Sequence, residues 1–186
     1  FDAKSMNGVY SLLKDNQHQI WVGTGNGALY SNSSSSNKTY QFDITKLPFS
    51  NSVKVTALVQ DKDGNIWCGT YGEGLARYNP KTKEVSVLTS TTGLCDNRII
   101  SIYEDREGNI WIATRNGLNQ IRDGKVSVFS ITEGLKNENV NCVCNGKDNS
   151  LWVGTKGGLF HLEKNKVQSF FRKDGLPSND IGSLFL

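Results

Sequence analysis

An all-β chain of repeated four-stranded antiparallel units is the fold this sequence predicts, and three observations predict it. The tryptophans Trp21, Trp67, Trp111 and Trp152 are spaced 46, 44 and 41 residues apart. Val9, Val55, Ile99 and Val140 each precede their tryptophan by twelve residues. Each tryptophan is followed within a few residues by a glycine-rich turn signal, and no window carries helical periodicity. A sandwich would also give short strands, but not self-similarity at a period of roughly 40–45 residues.

The second unit gives the elements in order. Val55, Ala57 and Val59 alternate with Thr56, Leu58 and Gln60, with apolar residues on both faces. That pattern predicts a first strand buried on both sides. Asp61 to Asn65 supply a tight turn, since Gly64 and Asn65 tolerate positive φ. "IWCGT" is the second strand and "YGEG" the second turn. "LARYN" is the third strand, "PKTKE" a turn in which proline presets φ, and "VSVLTS" the fourth strand. "YQFDI" (40–44), "VSVFS" (126–130) and "VQSFF" (167–171) are the fourth strands of the other units.

Four short strands per unit of this length describe a β-propeller blade. The blades fall at 7–45, 53–90, 97–131 and 138–172. Kelch blades run longer, and the Gly-His and Trp-Asp marks of WD40 blades are missing. The segment "KDGLPSNDIGSLFL" (173–186) repeats "STTGLCDNRIISIYE" (90–104), so 179–186 is expected to open a fifth blade. The chain is therefore expected to be an arc of a larger propeller. Blade faces are apolar, and large apolar patches seldom stay exposed, so self-association is expected.

Composition narrows the classes. Hydrophobic residues at 37% and charged residues at 21% fit a folded chain. The net charge of +3 is scattered, without the basic stripe that offsets phosphate charge, so no nucleic-acid partner is expected. No apolar run is long enough for direct membrane insertion of this segment, and no signal peptide opens the chain.

Three chemical readings are weighed and set aside. Asp61, Asp63 and Asn65 resemble part of a calcium loop, but its twelfth position is Gly72 and the bidentate glutamate is missing. "GTGNG" (23–27) and "GTYGEG" (69–74) resemble phosphate loops, but no helix follows and no Gly-Lys-Ser/Thr ending is present. Cys68, Cys142 and Cys144 align with strand positions held elsewhere by Val22, Ser11 and Leu13, and Cys95 sits in a connector. Four free thiols acting as small apolar groups are expected, with no metal and no cofactor.

The repeat as a whole resembles the two-component regulator propeller repeat. "IISIYEDREGNIWIATRNGL" and "TTGLCDNRI" follow its pattern almost throughout. Departures are Ala113 for the glycine before threonine, Asn145 and Gly146 for the acidic end, an added "SNSSSSNKT" at 31–39 and an irregular "LPFSNSVKV" connector. The resemblance implies the periplasmic sensory half of a hybrid histidine kinase. In that family two propellers, a small β-sandwich and one membrane helix precede the kinase. It also implies an oligosaccharide ligand and a second copy as partner.

Propeller ligands usually bind where the connectors and second turns meet. Here those are 95–98, 136–139 and 177–180, together with Gly25, Tyr71, Arg115 and Lys156 after each Gly/Ala-Thr pair. Side chains that vary on a fixed frame can encode specificity. Tyr71 is a candidate for stacking a sugar ring and Glu73 for accepting hydroxyls. Arg98, Arg115 and Lys156 are candidates for uronate or sulfate groups. The reading is a non-enzymatic, extracytoplasmic sensing module. Its rivals are a protein-interaction scaffold and an enzyme similar to the streptogramin lyases, propellers that use histidine chemistry. His161 is the residue that rival would require; it lies on a third strand, aligned by sequence with Tyr30, Arg77 and Gln120.

Overall fold

The computed structural model describes residues 8–33, 41–50, 52–129, 135, 139–146, 150–163 and 166–185. They form four antiparallel sheets of four strands each, every one a meander in chain order. The first blade contains β1 (Val9–Lys14), β2 (Ile20–Thr24), β3 (Ala28–Ser33) and β4 (Gln41–Lys46). β5 (Val55–Gln60), β6 (Ile66–Thr70), β7 (Leu75–Tyr78) and β8 (Val85–Leu88) make the second. The third has β9 (Ile99–Glu104), β10 (Ile110–Thr114), β11 (Gly117–Arg122) and β12 (Lys125–Phe129). The fourth has β13 (Val140–Asn145), β14 (Leu151–Thr155), β15 (Gly158–Glu163) and β16 (Lys166–Phe170). The first strands β1, β5, β9 and β13 stand side by side, so the sheets fan out from them.

The core is split into three slabs, each between two successive sheets. Trp21, Leu29, Val55, Ile66 and Cys68 fill the first slab. Trp67, Leu75, Ile99, Ile110 and Ile112 fill the second, and Trp111, Leu118, Val140, Val153 and Phe160 the third. Side chains alternate along a strand, so Ile66 and Cys68 meet the preceding blade while Trp67 meets the following one. Burial on both faces follows for β6, whose five residues are all buried.

First strands depart from the expected two-sided burial. In β5 only Val55 and Ala57 are buried. In β1 Val9, Tyr10 and Leu12 are exposed, because no sheet lies beyond it among the described residues. Leu12 occupies the place of Leu58, Ile102 and Val143, which all pack into the slabs. Residues 179–185 form no strand, but Ile181 donates its N–H to the Thr155 carbonyl at 2.9 Å.

The first turn is a carboxylate-centred knot. In three blades the tryptophan Nε1 donates to the aspartate six residues earlier, at 2.8 Å each: Trp21 to Asp15, Trp67 to Asp61 and Trp111 to Asp105. Gly64 and Gly108 take φ of 87° and 85° in this turn, and His18 takes 64° in the first blade. Gly146 leaves the fourth blade without the carboxylate, and Trp152 stacks instead on His161 at 4.2 Å.

Two short 3-10 turns, Ser90–Thr92 and Arg172–Asp174, lie in the Gly-Leu-x-x-Asn connectors and escape the sequence reading. Each is closed by the connector asparagine: Asn97 Oδ1 accepts from Ser90 N at 2.7 Å, and Asn179 Oδ1 from Arg172 N at 2.6 Å. Sequence register also errs by one residue in the first blade. Trp21 pairs with Ser31, not Tyr30, because the second turn there is one residue longer than in the third and fourth blades.

Candidate functional site

The second turns are built to project their middle residues. Thr70 accepts from Glu73 N and donates to the Gly74 carbonyl at 2.7 Å, closing a loop around Tyr71, Gly72 and Glu73. Gly74 must be glycine: its φ is 88° and a β-carbon there would lie 2.3 Å from the Leu88 carbonyl oxygen. Thr114 and Thr155 close the corresponding turns of the next two blades onto Gly117 and Gly158.

These turns and the connectors join into one rim of backbone hydrogen bonds. Tyr71 N donates to the Lys54 carbonyl at 2.9 Å, Arg115 N to Arg98 at 3.3 Å, and Lys156 N to Asn139 at 3.1 Å. Between blades, Tyr71 and Arg98 form an antiparallel bridge, and Gly72 and Gly74 both donate to the Asn97 carbonyl. Main-chain bonds therefore hold the rim together, with the threonine hydroxyls closing its turns.

On that frame three of the five candidates meet. The Arg115 guanidinium lies 5.7 Å from the centre of the Tyr71 ring, and Arg98 sits across the bridge from Tyr71. Asp96, which sequence reasoning passed over, orients Arg98 through two parallel bonds of 2.9 and 2.6 Å. The signal was the Asp-x-Arg spacing, which also lets Asp96 accept the Arg98 N–H at 2.7 Å. Glu73 shares the turn with Tyr71, but its carboxylate takes the backbone N–H of Ser50 at 2.8 Å and the Ser50 hydroxyl. It ties the second turn to the connector before β5. Lys156 is exposed one blade further on. Connector residues 136–138 lie outside the described residues.

The Arg98 guanidinium holds the Asp96 carboxyl below its ordinary value against the opposing effect of burial, helped by the Arg98 N–H and the charge of Arg115. A depressed carboxyl stabilises the fold above the unfolded value of about 3.9 and loses that contribution as pH falls through the folded value. Asp96→Asn is thus expected to melt at a lower temperature than the parent by a constant margin above about pH 4. Below it the margin shrinks. Thermal melts across pH check this, and a margin unchanged into strong acid would refute the assignment.

Other side chains have assigned places. The four cysteines are free thiols, and burial pushes Cys142 up to about 11 and Cys68 further still, which suits packing and not nucleophilic attack. His161 lies half-buried against the Trp152 ring. Two clefts of about 450 and 360 Å³ open at the opposite, first-turn end of the sheets. The first is lined by Asp105, Arg106, Trp111 and Glu163, and the second by Lys62, Arg77 and Glu104. Burial raises Glu104 there, although the Lys62 N–H opposes the shift.

Comparison with known proteins places this architecture. The extracellular domain of the hybrid two component system BT3049 from B. thetaiotaomicron superposes with a TM-score of 0.63 at 21% identity, over 92% of this chain and 30% of that one. The corresponding domain of BT4673 gives 0.59 at 19% identity, over 91% and 28%. Virginiamycin B lyase from Staphylococcus aureus gives 0.69 at 19% identity, over 88% and 55%. At these identities the solved structures establish the propeller fold. Histidine kinase P4 from Formosa agariphila is 30% identical over 115 residues, 58% of this chain. The chain spans only 8% of that kinase. Among the described residues no helix is long and apolar enough to cross a membrane. A family model described as two component regulator propeller matches residues 5–26, 48–72, 93–116 and 134–157, one stretch in every blade, and the chain belongs to that family.

Proposed function

We propose that this chain is the ligand-sensing propeller module of a two-component receptor, held in the periplasm and read out by a histidine kinase elsewhere in the full protein. The observation that carries the reading is the rim cluster of Tyr71, Arg98 and Arg115, an aromatic face beside oriented cations on a main-chain frame. Such a surface suits an oligosaccharide, whose ring stacks on tyrosine and whose polar groups meet the arginines. Ligand binding at a rim that links successive blades biases their packing, and a signal needs only that differential affinity. Self-association belongs to the same reading and is supported by the exposed apolar residues Val9 and Leu12 on β1.

The test is calorimetric titration of the chain with a panel of neutral and acidic oligosaccharides, paired with sedimentation before and after ligand. Binding is expected, with a change in association state, and Tyr71→Ala is expected to weaken it by about tenfold, or about 1.4 kcal/mol. Heat with no member of the panel would favour a protein-interaction scaffold.

A further inference from the structure

We propose that the rim of the first three blades holds an acidic oligosaccharide of more than one sugar unit, its carboxylate or sulfate groups spread along a line from Lys54 to Arg115. This rests on the reading of the face as a sugar-binding surface and specifies the ligand it takes. The motif seen at Tyr71 occurs twice. Lys54 Nζ lies 4.8 Å from the centre of the Tyr10 ring, as Arg115 Cζ lies 5.7 Å from that of Tyr71. In each pair the tyrosine belongs to one blade and the cation to the next. Both tyrosines are 44% exposed, so each leaves ring surface open to a ligand.

The two pairs are joined by the rim itself. Lys54 bonds to Tyr71, Tyr71 bridges Arg98, and Arg98 bonds to Arg115. Three such steps of roughly 5 Å each make a track of roughly 15 Å, longer than a single sugar ring needs. Charge along this track is unbalanced. Lys54, Arg98 and Arg115 face two carboxylates among the described residues, Asp96 and Glu73. Both are already engaged, Asp96 by Arg98 and Glu73 by Ser50. Asp96 therefore orients Arg98 and also feels the charge of Arg115, and Lys54 has no carboxylate ion pair among the described residues. A neutral glycan would satisfy the tyrosines and leave the cations solvated; an acidic one uses both.

The experiment titrates the full chain with a galacturonate oligosaccharide, its methyl-esterified form, a sulfated galactan oligosaccharide, its desulfated form and inorganic sulfate alone. At least one charged oligosaccharide is expected to bind about tenfold or more tighter than its neutral counterpart, and to weaken as salt is raised. Arg115→Gln and Lys54→Gln are each expected to remove about three- to tenfold of that affinity, and to weaken the charged forms more than their neutral counterparts. Equal binding of charged and neutral forms overturns the acidic ligand and leaves the sugar-binding face standing. Inorganic sulfate binding as tightly as the sulfated oligosaccharide overturns the extended track. Silence in every arm overturns the sugar-binding face and this assignment with it.

Discussion

Asp61→Ala is expected to destabilise the chain by about 3 kcal/mol or more, read as the loss of unfolding free energy in urea. The aspartate is 6% exposed, and both carboxylate oxygens are in use. Oδ1 accepts from Asp63 N at 3.0 Å, Asn65 N at 2.8 Å and Asn65 Nδ2 at 3.0 Å. Oδ2 accepts from Asn65 Nδ2 at 2.9 Å and Trp67 Nε1 at 2.8 Å. Alanine strands these donors in a turn too tight for each to find water, and an unpaired buried donor costs about 1–3 kcal/mol. Asp61→Asn keeps one acceptor oxygen and is expected to fall between parent and alanine. The knot fastens the turn between β5 and β6, so hydrogen-exchange protection should fail there first, as it does in repeat folds held by neighbour contacts. A loss under about 1 kcal/mol for alanine would mean that the turn holds itself without the carboxylate.

The fourth blade bears on that expectation from the other side. Gly146 stands where the aspartate would be, and Trp152 is only half-buried, stacked on His161 and tilted against Phe170. Its ring neighbours come from β15 and β16, just as Trp111, which keeps its carboxylate, has Phe129 of β12 at 5.4 Å. His161, the residue that a lyase-like reading would need, is the stacking partner of Trp152.

What the sequence discloses and what it hides divide along a physical line. Strands were legible because alternation and the tryptophan register depend on nearest neighbours within one sheet. The knot was half legible: aspartate recurs six residues before Trp21, Trp67 and Trp111. Read as turn punctuation, it concealed the indole bond. Glu73 was not legible, because its partner Ser50 belongs to a connector 23 residues away with no counterpart in the other repeats. Arg98 and Arg115 were picked from position alone. That they converge on Tyr71 depends on how one blade's turn bridges the next blade's connector. Contacts between blades are invisible to any pattern confined to one repeat.

Gly69→Ala is the second large effect, expected at about 2–3 kcal/mol, with valine worse. Its φ is ordinary, so the need for glycine comes from close approach and not from backbone freedom. A β-carbon on Gly69 would lie 2.5 Å from Cγ2 of Ile99, 2.9 Å from its Cβ and 3.2 Å from Cδ1 of Ile102. Gly23 meets Val55 and Gly154 meets Ile181 in the same way. The glycine before each threonine is thus the seat of the next blade's first strand. The third blade carries Ala113 in this seat, opposite Val140, with both fully buried. A methyl is thus accommodated against Val140, whereas at Gly23 it would meet Cγ1 of Val55 at 2.7 Å, so the approach of the two backbones as well as the opposing side chain sets the room. Ile99→Ala, which removes the Cγ2 that a Gly69 β-carbon would meet at 2.5 Å, should accordingly recover part of the loss in Gly69→Ala, although alone it costs about 2–5 kcal/mol. A double-mutant cycle in urea measures the coupling; strict additivity within about 0.5 kcal/mol would refute direct steric contact. The consequence reaches the rim. Ile99 follows Arg98, so displacing β9 moves the strand start that carries the Tyr71–Arg98 bridge. Gly69→Ala should weaken oligosaccharide binding in proportion to that shift, and Ile99→Ala should restore part of the binding together with part of the stability.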